Sequence, residues 1–301
     1  MSEPLGSPVP DHETEFSRRE FVKTVVASAP LIGAEASPAP SALIRFHASL
    51  TREQRSILQF PFDHPLQWQV RDDWAIVRPT IADLTAPQRA LCREIFQALC
   101  SEEGHERFLR QMTDDAGGFD RYHVALFGEP EGGRPCQWVL TGRHLTLRGL
   151  GDSSKRATLG GPIFYGHSSE PSRNVWWDQS VRVNRIFATL DGPQRDQAVV
   201  DAPNPAARTS SGLVVAGLDA SQKEMVRSLF NDMLMPFREV DPARFLQGIG
   251  GIDSLRLSYF PDRGGGAGDG EWRVWKLEGP GFRWSFHGVP HVHAWVDESR
   301  G

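Results

Sequence analysis

The stretch from Leu255 to Val296 constrains the fold most. It holds four short apolar runs, Leu255–Phe260, Trp272–Leu277, Phe282–His287 and His291–Val296, set apart by Gly or Pro breaks. Runs of this length, rich in aromatic and β-branched residues, form strands that fold back on one another. A four-strand antiparallel meander is therefore predicted at the C-terminal end. The longest break contains Gly264-Gly265-Gly266-Ala267-Gly268. It lacks the Lys-Ser/Thr end of a phosphate-binding loop and precedes no helix, so it reads as a connection only. Tyr122–Phe127 and Gln137–Leu147 predict two more strands around the turn-rich segment 128–135.

Helical periodicity dominates elsewhere. After Thr85, the residues Leu91, Ile95, Ala98 and Leu99 share one face. Further helices are predicted over Glu102–Thr113, Asn174–Leu190 and Ser221–Met235, the last stopping at Pro236. Helices and strands are segregated along the chain. The predicted class is α+β: a helical N-terminal region packed on a mainly antiparallel β-sheet with a C-terminal four-strand meander. A motif of apolar residue, cap, two spacers, Gln and base recurs at Leu50-Thr51, Leu84-Thr85, Leu190-Asp191 and Leu218-Asp219. Its irregular spacing favours four ordinary helix starts over a duplicated half.

The first 36 residues read as an address. Ser17-Arg18-Arg19-Glu20-Phe21-Val22-Lys23 has the form of a twin-arginine export signal. A short, mildly apolar stretch follows, and Ala34-Glu35-Ala36 gives a small-x-small cleavage pattern. The expectation is a signal peptide over 1–36, a single mature domain over 37–301, the twin-arginine export machinery as partner, and a periplasmic or extracellular location. No run reaches the roughly 20 apolar residues of a membrane span, so no stable transmembrane anchor is expected. A net charge of −5 argues against nucleic acid as a partner. Proteins on this route cross the membrane folded, often with a cofactor already inserted. Cys92, Cys100 and Cys136 fit that picture. The first two lie eight apart on a predicted helix, about 12 Å along its axis, beyond disulfide reach. All three are expected to be buried fillers.

The chemistry-bearing residues are histidines. In Pro290-His291-Val292-His293-Ala294-Trp295, residues two apart on a strand face the same way, so His291 and His293 project together. A pair of exposed strand histidines has the same pattern. His144, within Gln137–Leu147, is predicted to share a face with Trp138, Leu140 and Gly142 on a central strand, where its imidazole needs a partner. The segment Gly161-Pro162-Ile163-Phe164-Tyr165-Gly166-His167-Ser168-Ser169-Glu170-Pro171 reads as a Gly/Pro-containing loop that places His167 and Glu170. His287 reads as structural or exposed. No C-x-x-C and no G-x-S-x-G occurs, which argues against thiolate metal sites and nucleophile elbows.

Trp138…Gly142-x-His144-Leu145, Gly161-Pro162…Gly166…Glu170-Pro171, Glu278-Gly279-Pro280 and Pro290-His291-Val292-His293 occur in that order. With the repeated cap-and-Gln segments they resemble the bacterial domain-of-unknown-function (DUF) family 3500, over about Phe46 to Val296. The family pattern has a His-His pair where this chain has Arg143-His144, so only His144 carries over. The resemblance groups His144, Glu170, His291 and His293 and implies no reaction.

The expectation is an exported metal-binding protein, a metal-dependent oxidoreductase in its leading form. His144, His291 and His293 would ligate Cu, Fe or Zn, with His167 as a further ligand and Glu170 as the catalytic acid or base. The alternatives are a zinc-type hydrolase, with Glu170 activating bound water, and a non-enzymatic binding protein. In the second, Trp138, Trp272, Trp275, Trp284 and Trp295 line a groove for a small-molecule ligand.

Overall fold

Four helix starts organise the helical layer. Thr51, Thr85, Asp191 and Asp219 each cap a helix and form a reciprocal capping box with a Gln three residues on. The four glutamines then pair across helices. Gln54 and Gln88 exchange side-chain hydrogen bonds of 3.0 and 2.8 Å, and Gln194 and Gln222 exchange bonds of 3.2 and 3.0 Å. Gln88 also donates to the Ser49 carbonyl, as Gln222 does to that of Thr189. The same two-helix junction is built twice. All four are the helix starts expected from the sequence, and the cross-helix pairing adds a likeness between the two junctions that their differing sequence spacing hides.

The computed structural model describes residues 38–130, 134–152, 155–159, 162–201, 211–238, 240, 242–261 and 271–298. The predicted signal segment and the Gly-rich connection 262–270 lie outside them. The helices are α1 (Pro38–Ser49), α2 (Arg52–Leu58), α3 (Ala86–Leu99), α4 (Glu102–Ala116), α5 (Asp178–Thr189), α6 (Gly192–Ala198), α7 (Ala220–Leu234) and α8 (Pro242–Gly248). The strands are β1 (Gln59–Phe60), β2 (His123–Gly128), β3 (Cys136–Gly142), β4 (Leu145–Asp152), β5 (Lys155–Leu159), β6 (Ile163–His167), β7 (Leu213–Val214), β8 (Arg256–Phe260), β9 (Val274–Gly279), β10 (Phe282–His287) and β11 (Val292–Glu298). The fold is α+β with a C-terminal antiparallel meander, β8 to β11.

The series repeats. α1, α2, α3, α4 and the meander β2-β3-β4-β6 are followed by α5, α6, α7, α8 and the meander β8-β9-β10-β11. β1 pairs parallel with β2, and after α6 an isolated bridge pairs Val199 parallel with Tyr259 of β8. The last strands of the two meanders, β6 and β11, pair antiparallel, giving one continuous sheet in the order β1-β2-β3-β4-β6-β11-β10-β9-β8-β7.

Helices cover one face. Phe108 of α4 meets Tyr165 of β6 edge-on at 6.1 Å, and Phe230 of α7 meets Phe282 of β10 at 5.5 Å. Trp138, Trp275 and Trp284 are fully buried. On the opposite face, the segment 61–80 lies over the first meander. Trp74 donates to the Thr146 hydroxyl, the Ile76 amide donates to Thr141, and the buried Arg148 guanidinium donates to the carbonyls of Gln67, Gln69 and Pro162. The three cysteines are buried and form no disulfide. Among the described residues no helix is long and apolar enough to cross a membrane.

Candidate metal centre

His144 does not sit within a strand. The run expected as one strand over Gln137–Leu147 is broken at Arg143-His144 into the β3–β4 hairpin, and His144 adopts φ +55°. The sequence there carries no strong turn pair. The turn is imposed by contacts from distant residues. A Cβ at Gly142 would meet the Tyr122 ring at 2.4 Å, so only Gly lets that ring pack there. The Tyr122 hydroxyl donates to the Arg143 carbonyl at 2.7 Å. The His144 amide donates to the Asp72 carbonyl at 2.7 Å, and its carbonyl accepts from Gln111 at 2.7 Å and from the Gly166 amide at 3.0 Å. His is among the non-Gly residues that tolerate the left-handed region. Both of its backbone polar groups are satisfied, which holds the imidazole in place.

His291 and His293 arrive from the other side. His293 lies on β11, and His291 immediately precedes that strand. β4 and β11 flank β6, and the β6 residue opposite His293 is Gly166. A Cβ at Gly166 would meet the Val292 carbonyl at 2.3 Å and His293 Cδ2 at 3.2 Å. The missing side chain is what lets His144 and His293 meet across the intervening strand.

The three imidazoles converge. Nε2 of His291 is 3.0 Å from Nε2 of His144 and 2.9 Å from Nε2 of His293. One nitrogen from each residue can be chosen so that all three lie within 4.8 Å of one another. Burial, and then the neighbouring imidazoles, pull His293 down to about 3. Burial, followed by His144, also lowers His291. Neutral imidazoles present the lone pairs that a metal ion requires.

The sequence reading missed the group behind His144. Asp115, in the last turn of α4, places Oδ2 2.8 Å from His144 Nδ1, and its side chain is only 1% exposed. Its other oxygen accepts the Ser168 amide at 3.0 Å, and the Ser168 hydroxyl lies 3.3 Å from the same Nδ1. Burial pushes the Asp115 carboxyl up, but the hydrogen bonds from His144 and Ser168 outweigh it and carry it below its usual range. An imidazole whose Nδ1–H is held by a carboxylate presents Nε2 as a bare donor atom, the outer-shell arrangement of metal-bound histidines.

Two residues of the expected set lie apart from this group. His167 ends β6 opposite Val292, on the face turned away from His293. Its Nδ1 accepts the Val175 amide, and its Nε2 lies 3.2 Å from Asp114 and 3.0 Å from the Ser169 hydroxyl. Both ring nitrogens are occupied, and the residue ties the 168–175 turn to α4. Glu170 is exposed in that turn, where its carbonyl accepts the amides of Arg173 and Asn174. Its carboxylate is not part of the histidine group. His287, read as structural or exposed, stands directly opposite His293 on β10 with its ring 4.9 Å from Trp295. The expected tryptophan groove dissolves: Trp138, Trp272, Trp275 and Trp284 are core residues, and only Trp295 adjoins the site.

No curated protein and no solved structure matches the chain. A family model described as a protein of unknown function, DUF3500, matches residues 33–251. His144 and Asp115 fall within the matched span, whereas His291 and His293 lie beyond it. The match covers most of the chain, which therefore belongs to the DUF3500 family.

Proposed function

We propose that the protein is an exported metal-binding protein. A transition-metal ion is held by Nε2 of His144, His291 and His293, and it serves an oxidoreductase activity on a small organic molecule. One observation carries the reading: three imidazoles meet at Nε2 separations of 2.9 and 3.0 Å, with Asp115 holding the far nitrogen of one. Bonds of about 2.0–2.1 Å to a tetrahedral ion place neighbouring nitrogens roughly 3.3–3.5 Å apart; the two separations to His291 need a small relaxation to reach this, and one nitrogen from each of the three lies within 4.8 Å of the others. Three imidazole nitrogens leave coordination positions open and suit Cu, Fe or Zn. The hydrolytic alternative depends on Glu170 as base. That residue stands in an exposed turn outside the group, so the hydrolytic alternative lacks the base expected for it.

Export rests on the Ser17–Lys23 motif and the Ala34-Glu35-Ala36 pattern. Folding before export allows the ion to be inserted in the cytoplasm and carried to the periplasm or beyond. Replacing Arg18 and Arg19 by Lys should block export; normal accumulation outside the cytoplasm refutes the route. Elemental analysis of protein purified without added metal tests the centre. The expected result is roughly one equivalent of ion, lost in His293→Ala with the circular dichroism spectrum retained. Stoichiometric metal persisting in that variant overturns the assignment.

A further inference from the structure

Beside the histidines, on the face of the sheet away from the helices, lies a patch of rings that the metal centre itself does not use. Trp295 is two residues after His293 on β11 and shares its face. Its ring stands perpendicular to that of His293, with centroids 5.6 Å apart. Phe164, the β6 partner of Trp295 in register, lies 5.4 Å from His293 and 5.1 Å from Trp295. His287 completes the patch from β10. Phe164 is fully buried and forms its floor, whereas Trp295, His287 and His293 are partly exposed. The other side of the cluster is polar and already engaged, since Asp115 and Ser168 occupy Nδ1 of His144.

We propose that this centre takes planar aromatic oxygen ligands, phenols and catechols, which bind the ion through oxygen and pack their ring against Trp295 over Phe164. The proposal rests on the metal reading of His144, His291 and His293. The chemistry follows from two distances. A phenolic oxygen on an ion held by these histidines would carry its ring outward, beside the His293 imidazole. Trp295 and Phe164 stand at 5.6 and 5.4 Å from that imidazole, within the roughly 4.5–7 Å at which rings pack edge to face. A ring there would meet the exposed part of Trp295, with Phe164 buried beneath it. An acyclic acid of similar charge would bind the ion with no ring to set against Trp295.

The test uses metal-loaded full-length protein with two probes, 4-nitrocatechol followed by its visible absorbance and oxalate followed by calorimetry. Wild type is compared with Trp295→Ala, Trp295→Phe and Phe164→Leu, with metal content measured in each. In Trp295→Ala the nitrocatechol Kd should rise about tenfold, the loss expected on truncating an aromatic anchor. Trp295→Phe should recover most of that loss, and oxalate should change less than twofold in either. Equal effects on both probes, or no effect on nitrocatechol, overturn the aromatic assignment while the metal centre stands. If Trp295→Ala fails to fold, Phe164→Leu decides by the same selective loss. Wild-type protein that takes up no metal refutes the centre itself, and that result is read before either probe is added.

Discussion

Asp115→Asn separates a working outer shell from a merely tidy one. The substitution keeps the volume of a side chain that is 1% exposed and removes its charge. Asp115 now satisfies two donors, His144 at 2.8 Å and the Ser168 amide at 3.0 Å. An Asn offers one acceptor and one donor, so one of those N–H groups must face an NH2. If the amide oxygen keeps His144, the tautomer survives but the negative charge that raises ligand basicity is gone. If it keeps Ser168, His144 loses the partner that frees its Nε2. Outer-shell partners of this kind change metal affinity by roughly 10–100-fold, about 1.4–2.7 kcal/mol. The expected result is a weakening of that size, measured by competition with a chromophoric chelator. The cost to the metal-free fold is measured separately by urea unfolding. An unsatisfied buried donor costs about 1–3 kcal/mol, so the midpoint should fall in both states but further in the loaded one. An affinity within twofold of wild type would show that Asp115 positions nothing.

Gly166→Ala places a Cβ 2.3 Å from the Val292 carbonyl. Overpacking of about 1–3 kcal/mol should lower the thermal midpoint by roughly 3–10 °C and abolish metal uptake; an unchanged midpoint with metal retained refutes the requirement for a gap on β6. Burial lowers His105 and His167 below their ordinary value, so the unfolded chain binds more protons near pH 6 than the folded one. Their contribution is complete above about pH 6.5 and is lost as pH falls through the folded values, by at most about 1.4 kcal/mol per proton per pH unit. Chelator-treated protein should therefore have a lower urea midpoint at pH 5.5 than at 7.5, and a higher one would contradict this. Burial raises the Cys92 and Cys100 thiols far above the usual range. Native protein should leave a thiol reagent unconsumed and show the same thermal midpoint with and without reductant; rapid labelling would place a cysteine outside the core.

The strands were readable where breaks are local. β10 spans the predicted Phe282–His287, because Gly281 and Gly288 close it at both ends. The hairpin at Arg143-His144 was not readable, because Val139 to Leu147 is locally a good strand and the turn is held by Tyr122, Asp72 and Gln111. Asp115 was lost with the last turn of α4. The predicted helix stopped at Thr113, whereas Gly117, at φ +80°, ends it. Asp114 and Asp115 then sit at a helix C-terminus, where the dipole disfavours anions. Two acids in that position signal partners elsewhere, here His167 and His144. The recurrent Gln was visible as a helix cap, but its second bond, to another helix, belongs to tertiary structure.

The pairing of β6 with β11 decides how the chain can be divided. Each meander ends on a strand whose outer edge the other meander covers, so either one made alone would present a row of unpaired amides and carbonyls. Bare edges of this kind recruit further copies. Cut in the turn after His167, the two pieces made apart should each expose a bare edge and aggregate, and made together should cover each other's edge. The histidines divide with it, His144 on one piece and His291 and His293 on the other. Under the proposed metal reading, uptake by the rejoined pieces would report the docking of two polypeptides, neither of which carries all three histidines.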